Sequence, residues 1–150
     1  MTSSPRPVLT LRPLEKGDRV ALYKCHQRNL SEVYPSSVWD MFVQDYTGTS
    51  YVISDHEKKD IYGFSVGSQK QIFSFAVDKE HRRQGWGRRL LEAVLGSVKI
   101  SFPFTLQVRV SNHGALALYV SMGFVQAGVL PKYYDDGEDG LLMQHVGNKA

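Results

Sequence analysis

The sequence predicts a mixed α/β domain whose mostly antiparallel sheet is flanked by helices. Short runs of strand character alternate with runs of helical apolar spacing along the whole chain. At 150 residues the chain suits one domain, large enough to bury about two-thirds of its unfolded surface. No repeat, linker or low-complexity segment divides it. Residues 8–147 are therefore expected to form a single domain behind a flexible lead-in at residues 1–7, which lacks the apolar core of a signal segment.

The elements follow in order. Val8–Leu14 reads as a strand. Asp18–Asn29 reads as a helix, with Val20, Leu22, Tyr23 and His26 grouped on one side. Residues 29–35 form a loop. Ser36–Tyr46 carries Val38, Trp39, Phe42 and Val43 at helical spacing. Ser50–Ser54 and Ile61–Gly67 are strands across the charged turn of residues 55–60, and Gln71–Val77 is another. Gly87–Lys99 is the clearest helix, with Leu90, Leu91, Val94, Leu95 and Val98 as its apolar stripe. After the strand Phe104–Val110, Ser111 or Asn112 caps a helix that runs to Met122. Gly123 stands where a left-handed cap ends it. Phe124–Val129 and Leu141–Val146 are the last strands. The order is β-α-α-β-β-β-α-β-α-β-β, a sheet packed by helices.

Composition narrows the functional class. Hydrophobic residues make up 42% and charged residues 22%, ordinary for a globular protein. The net charge of +3 is too small to argue for nucleic acid as a partner. Cys25 is the one cysteine, so no internal disulfide forms, and a reducing, cytoplasmic location is expected. Five scattered histidines lack metal-ligand spacing, so no metal is expected. No stretch of about 18 apolar residues is present, so no membrane association is expected.

The segment from Phe75 to Leu91 carries the chemistry. An apolar strand, Phe75-Ala76-Val77, runs into a charged turn, and Gly85 and Gly87 then open a helix. Glycines there remove side chains where backbone N–H groups point outward. Arg82, Arg83, Arg88 and Arg89 surround the spot with positive charge. A helix N-terminus with free N–H groups binds phosphate, so a group carrying a pyrophosphate is expected to dock here. The spacing is neither a dinucleotide fingerprint, which needs a third glycine, nor a nucleoside triphosphate loop, which needs Gly-Lys-Ser/Thr. Gly63-Phe64-Ser65-Val66-Gly67 matches the nucleophile pattern of serine hydrolases, but Ser65 lies inside a strand that leads to another strand.

The pattern Arg82-x-x-Gly85-x-Gly87, with a strand before and a helix after, resembles the pyrophosphate loop of the GNAT acetyltransferase superfamily. Asn112-His113-Gly114-Ala115-Leu116-Ala117-Leu118-Tyr119 and the following Gly123-Phe124 are similar to a second family segment. The resemblance implies the GNAT fold and acetyl-CoA as cosubstrate. By it, Phe75, Ala76, Val77, Arg82, Arg83, Gln84, Gly85, Trp86, Gly87, Arg88 and Asn112 bind the cofactor, and Tyr119 protonates the departing thiolate. Two loops narrow the resemblance to N-alpha-acetyltransferase catalytic subunits. They are Asn29-Leu30-Ser31-Glu32-Val33-Tyr34 and the hairpin Pro131-Lys132-Tyr133-Tyr134-Asp135-Asp136-Gly137-Glu138-Asp139-Gly140. In those relatives the loops flank a groove for a protein's first residues. The resemblance then implies a peptide site lined by Leu30, Tyr34, Tyr133 and Tyr134, with Glu32 facing the amine. A protein N-terminus is the implied substrate, and an auxiliary subunit is a further possible partner.

Two departures bear on mechanism. Ser31 replaces a proline usual in the first loop, which leaves the backbone less constrained. Gln107 stands where bacterial ribosomal-protein alanine acetyltransferases, a related group, have a glutamate base. An amide cannot act as a base, so Glu32, directly or through water, is the expected one. Backbone N–H groups near Ala76 and Val77 are expected to hold the oxyanion. An acetyltransferase for a small amine or a lysine side chain, and a non-catalytic acyl-CoA-binding subunit, remain the alternatives.

Overall fold

The computed structural model describes residues 7–147, so nearly all of the expected lead-in lies outside the described residues. The elements follow the expected order: β1 (Leu9–Pro13), α1 (Arg19–Asn29), α2 (Ser36–Asp45), β2 (Tyr51–Asp55), β3 (Ile61–Gly67), β4 (Ile72–Val77), α3 (Trp86–Leu95), β5 (Phe104–Arg109), α4 (His113–Ser121), β6 (Val125–Leu130) and β7 (Gly140–His145). The strands form two sheets rather than one. The first is antiparallel in the order β1-β2-β3-β4, and the second is antiparallel in the order β5-β7-β6. A parallel bridge between Gln71 and Thr105 joins them, with the Thr105 N–H donating to the Lys70 carbonyl at 3.0 Å. Beyond that bridge β4 and β5 diverge.

Helices cover both faces. On one, Leu22 and Cys25 of α1 and Trp39 and Phe42 of α2 pack on Val52, Phe64 and Val66. On the other, Leu91 and Val94 of α3 and Tyr119 of α4 pack on Leu106, Val108, Phe124 and Met143. Leu90 closes on Ile53 and Val77, seating α3 against the first sheet.

Local signals explain the ends. Asn112 caps α4 by accepting the Ala115 N–H at 3.2 Å. Gly123 follows with φ +98°, and a Cβ there would also lie 2.7 Å from His145 Nε2. Two expectations are corrected. α1 buries Leu22, Cys25 and His26, which share one face at i, i+3 and i+4, while Val20 (58% exposed) and Tyr23 (41%) point outward. α3 stops at Leu95 before Gly96 rather than running to Lys99, so Val98 lies past its end and is 99% exposed. Ser65 is 1% exposed in the middle of β3, which rules out a nucleophile elbow.

Gly67 ends β3 against the backbone of the next strand. A Cβ at this position would lie 2.8 Å from Ile72 Cα, and its own N–H and carbonyl are engaged by the Ser50 and Thr49 hydroxyls. Backbone cannot step aside as a side chain can. Gly67→Ala should therefore destabilise the protein by about 1–3 kcal/mol. Thermal unfolding should read this as a Tm lowered by about 2–4 °C per kcal/mol.

Candidate active site

The divergence of β4 and β5 leaves one edge of β4 unpaired. The Asp78 N–H donates to the Tyr62 carbonyl at 2.8 Å, and pairing alternates along an antiparallel strand. The N–H groups of Ala76 and Ser74 therefore point toward β3, and those of Phe75 and Val77 point into the cleft. Of the two groups expected to face an oxyanion, only Val77 is oriented for it. The Val77 carbonyl, on the cleft side, accepts from Arg82 Nε at 2.9 Å.

One cavity of about 540 Å³ opens on the α3 side of the cleft. Its walls include Phe75, Ala76 and Val77 of β4, and Asn112, Ala115, Leu118 and Tyr119 around α4. Its floor is the loop with Arg82, Arg83, Gly85, Trp86, Gly87 and Arg88. Gln84 is exposed and is not among the lining residues, and Arg89 stacks on the Trp86 ring at 4.3 Å instead of facing the cavity. The loop geometry accounts for its glycines. Gly85 caps α3 with φ +85°, a conformation that a side chain would strain. A Cβ on Gly87 would lie 3.0 Å from Leu118, so α3 and α4 approach closely there. The Arg89 N–H bonds back to the Gly85 carbonyl, which leaves the N–H groups of Trp86, Gly87 and Arg88 ahead of the helical ladder. Three arginines and no carboxylate line this cavity, so it suits an anion.

A second cavity, of about 510 Å³, lies on the other side. Leu30, Glu32 and Tyr34 of the α1–α2 loop form one wall, and Tyr133, Tyr134, Asp135 and Asp136 of the β6–β7 hairpin form the opposite one. Ser74 and Gln107 lie at the floor, from β4 and β5. The two cavities share Leu30, Phe75, Asn112 and Tyr119. Asn112 reaches both while its Oδ1 is occupied by the cap bond.

Arg109, which sequence reasoning did not single out, ties the two walls together. It donates to Glu32 Oε1 at 2.9 Å, to Asp136 at 2.8 Å and to Glu138 at 2.8 Å, and lies 4.1 Å above the Tyr134 ring. These partners hold its guanidinium further into the charged state, Glu138 most of all. Asp136 is held below the usual carboxylate range, first by the Glu138 N–H and then by Arg109. Glu138 is lowered first by Ser111 and then by Arg109. The signal for Arg109 was present, since it lies two residues after Gln107 and opposite an acidic hairpin, but only pairing reveals the contact. Glu32 is thus not a free carboxylate: one oxygen is committed to Arg109.

Tyr119 is 5% exposed and edges onto Phe75 at 5.8 Å between ring centroids. Burial pushes its hydroxyl well above the ordinary tyrosine value, with Tyr134 adding to the shift, so it stays protonated. Burial likewise raises Tyr134, to about 12. The Ser74 hydroxyl is buried and close to Tyr34, without a well-formed hydrogen bond.

Arg109→Met should separate the cavities functionally. Ligand affinity on the arginine-loop side should stay within about twofold, while binding on the hairpin side weakens at least about tenfold, the scale for losing a charged clamp. The pH dependence has a definite sign. Asp136 and Glu138 are depressed in the folded state, so their stabilisation is present above about pH 4–4.5 and is lost as pH falls below it. Thermal melts from pH 6 down to 3 should show a smaller acid loss in Arg109→Met than in wild type.

Similarity to known proteins agrees with this geometry. Residues 24–145 match the acetyltransferase (GNAT) domain family. An N-alpha-acetyltransferase of Saccharolobus solfataricus is 32% identical over 89% of this chain and 90% of its own length. The ribosomal protein bS18 alanine N-acetyltransferase of Escherichia coli K12 is 32% identical over 89% of this chain and 95% of its own. The crystal structure of Ard1 from Thermoplasma volcanium superposes with a TM-score of 0.83 at 28% identity, covering 94% of this chain and 99% of that one. With a profile match over most of its length, relatives aligned nearly end to end and the same fold in a solved structure, the chain belongs to the GNAT acetyltransferase family.

Proposed function

We propose that this chain transfers the acetyl group of acetyl-CoA to the N-terminal α-amine of a protein or peptide. One observation carries the reading: an arginine-lined cavity and a loop-walled cavity enter the β4–β5 cleft from opposite sides and meet at Tyr119. The diphosphate of acetyl-CoA sits on the Arg82–Arg88 loop, and its pantetheine arm pairs with the unpaired edge of β4. The peptide enters between Leu30, Tyr34, Tyr133 and Tyr134.

The steps follow from this placement. The α-ammonium gives its proton to the Glu32 oxygen not held by Arg109, directly or through a water. The free amine attacks the thioester carbonyl, and the Val77 N–H meets the developing oxyanion. The C–S bond then breaks, and Tyr119 donates to the departing sulfur. A neutral tyrosine is a weaker acid than a thiol, with reference pKa near 10 against about 8.5, and burial widens the gap. Tyr119 therefore acts first as a hydrogen-bond donor to the growing thiolate. Its proton passes to sulfur as the former amine nitrogen releases one in its place.

Energetics favour an α-amine over lysine. At pH 7 deprotonation costs about 1–1.4 kcal/mol for an α-amine and about 4.6 kcal/mol for a lysine. Gln107 offers no base on the strand, and Glu32 is an ion-paired loop residue. A lysine-free peptide with a free N-terminus should be acetylated faster at pH 7.5 than an N-blocked peptide carrying one lysine. Faster turnover of the blocked peptide would overturn the α-amine reading. Thiol release with no peptide preference would favour a small-amine substrate, and no release with any amine would favour an acyl-CoA-binding subunit.

Tyr119→Phe should lower turnover about 10²-fold, the scale for a lost acid or oxyanion donor. Acetyl-CoA affinity by calorimetry should change little. Equal turnover would assign sulfur protonation to water.

A further inference from the structure

A partly solvent-exposed polar junction lies beside the two cavities, with Arg82 of the cofactor loop at one end and Asn29, at the start of the peptide loop, at the other. It lies where the end of α1 meets the end of β4. Asp78, the residue after β4, gathers the last turn of α1. Its Oδ1 accepts from Asn29 Nδ2 at 2.6 Å and from the Cys25 thiol at 3.6 Å, and its Oδ2 accepts from Arg28 at 2.9 Å. Arg28 also donates to the Ile61 carbonyl at 2.8 Å, which anchors the cluster to β3. Asn29 uses both ends of its amide. Its Nδ2 also donates to the Cys25 carbonyl at 2.8 Å, and its Oδ1 accepts from Arg82 Nη2 at 3.4 Å. Arg82 belongs to the cofactor loop. Asn29 is the last residue of α1, and Leu30, which begins the peptide loop, lines both cavities.

We infer that Asn29, held by Asp78, is a positioning residue that couples occupation of the acetyl-CoA loop to the shape of the peptide loop. This rests on the function proposed above. The path is short: Arg82, then Asn29, then the backbone of Leu30 and on to Glu32. The Arg82–Asn29 contact is longer than the usual 2.9–3.0 Å, so it has room to tighten. A guanidinium is a rigid fork, so a diphosphate that engages one nitrogen also reorients the others. The fixed Arg82 Nε bond to the Val77 carbonyl limits that motion to a rotation toward or away from Asn29. Asp78 stabilises the cationic and amide donors around it, and the neutral, buried Cys25 thiol remains a donor to it. Cofactor binding thereby fixes the start of the Leu30–Tyr34 loop. Linkage makes the effect reciprocal, so peptide also tightens cofactor binding.

Calorimetry on the full chain tests this with unreacting CoA and the free-N-terminus peptide that is turned over fastest. Wild type should bind the peptide at least about fivefold more tightly when saturated with CoA, the lower end of allosteric coupling. In Asn29→Ala that ratio should fall to about one, while CoA alone binds within about twofold of wild type. Arg82→Lys keeps the charge but loses the fork, so it should also lower the ratio even if Asn29→Ala folds poorly. A merely structural role would weaken both ligands in the same proportion and leave the ratio unchanged. A wild-type ratio in the folded variants, or a ratio of one in wild type with both ligands binding, would overturn the coupling and leave the acetyltransferase reading standing. Failure of wild type to bind CoA at all would overturn both.

Discussion

The parting of β4 from β5 is the constraint on which the site depends. Among the described residues one parallel bridge, Gln71–Thr105, pairs the two sheets, and past it β4 and β5 are not paired with each other. An unpaired strand edge inside a protein leaves N–H and carbonyl groups unsatisfied unless something else meets them. The fold meets one of them internally, with Arg82 on the Val77 carbonyl. The rest face a cleft, where an extended ligand arm can complete the ladder. The same divergence separates two entrances and sets Tyr119 between them. Thus the missing strand pairing supplies a binding edge, a partition and a meeting point at once.

Charge is divided across that partition. The cavity beside α3 is lined by Arg82, Arg83 and Arg88, with helix N–H groups adding to the positive field. The opposite cavity has three lining carboxylates, Glu32, Asp135 and Asp136, around the single cation Arg109. An anionic cofactor and a cationic amine would therefore be sorted to opposite doors before any chemistry begins. Arg109 has a second effect. By bridging a helix loop and a hairpin far apart in sequence, it joins the two walls of that cavity.

The arginine-lined cavity was largely legible because its signal is local. A strand, a charged turn and two glycines at a helix start occupy one continuous segment, and backbone geometry dictates what such a segment does. The apolar patterns also placed every strand and helix within a few residues. The failures share a different cause. Val20, Tyr23 and Val98 look apolar in one dimension, but their exposure depends on which helix face meets the sheet and on where Gly96 stops α3. Arg109 meets Glu138, 29 positions on, only because β5 pairs with β7, and its ion pair with Glu32 spans 77 positions. The division into two sheets depends on a bridge between Gln71 and Thr105, which no periodicity encodes.

Burial and chemistry at Tyr119 follow from one another. Packing against Phe75 and Phe124 places this tyrosine in the core of the second sheet, which is why α4 carries it on its inner face. That packing makes the hydroxyl a poorer acid, a handicap for the sulfur-protonating role proposed for it. It also removes competing water and fixes the ring, so the hydroxyl loses little entropy when it meets a developing charge. A hydrogen bond in such a dry setting is stronger than one in solvent. On the proposed reading, the residue works by stabilising the thiolate as it forms rather than by its readiness to give up a proton. On that reading, the core that holds α4 to the sheet also sets the strength of the donor at the reacting sulfur.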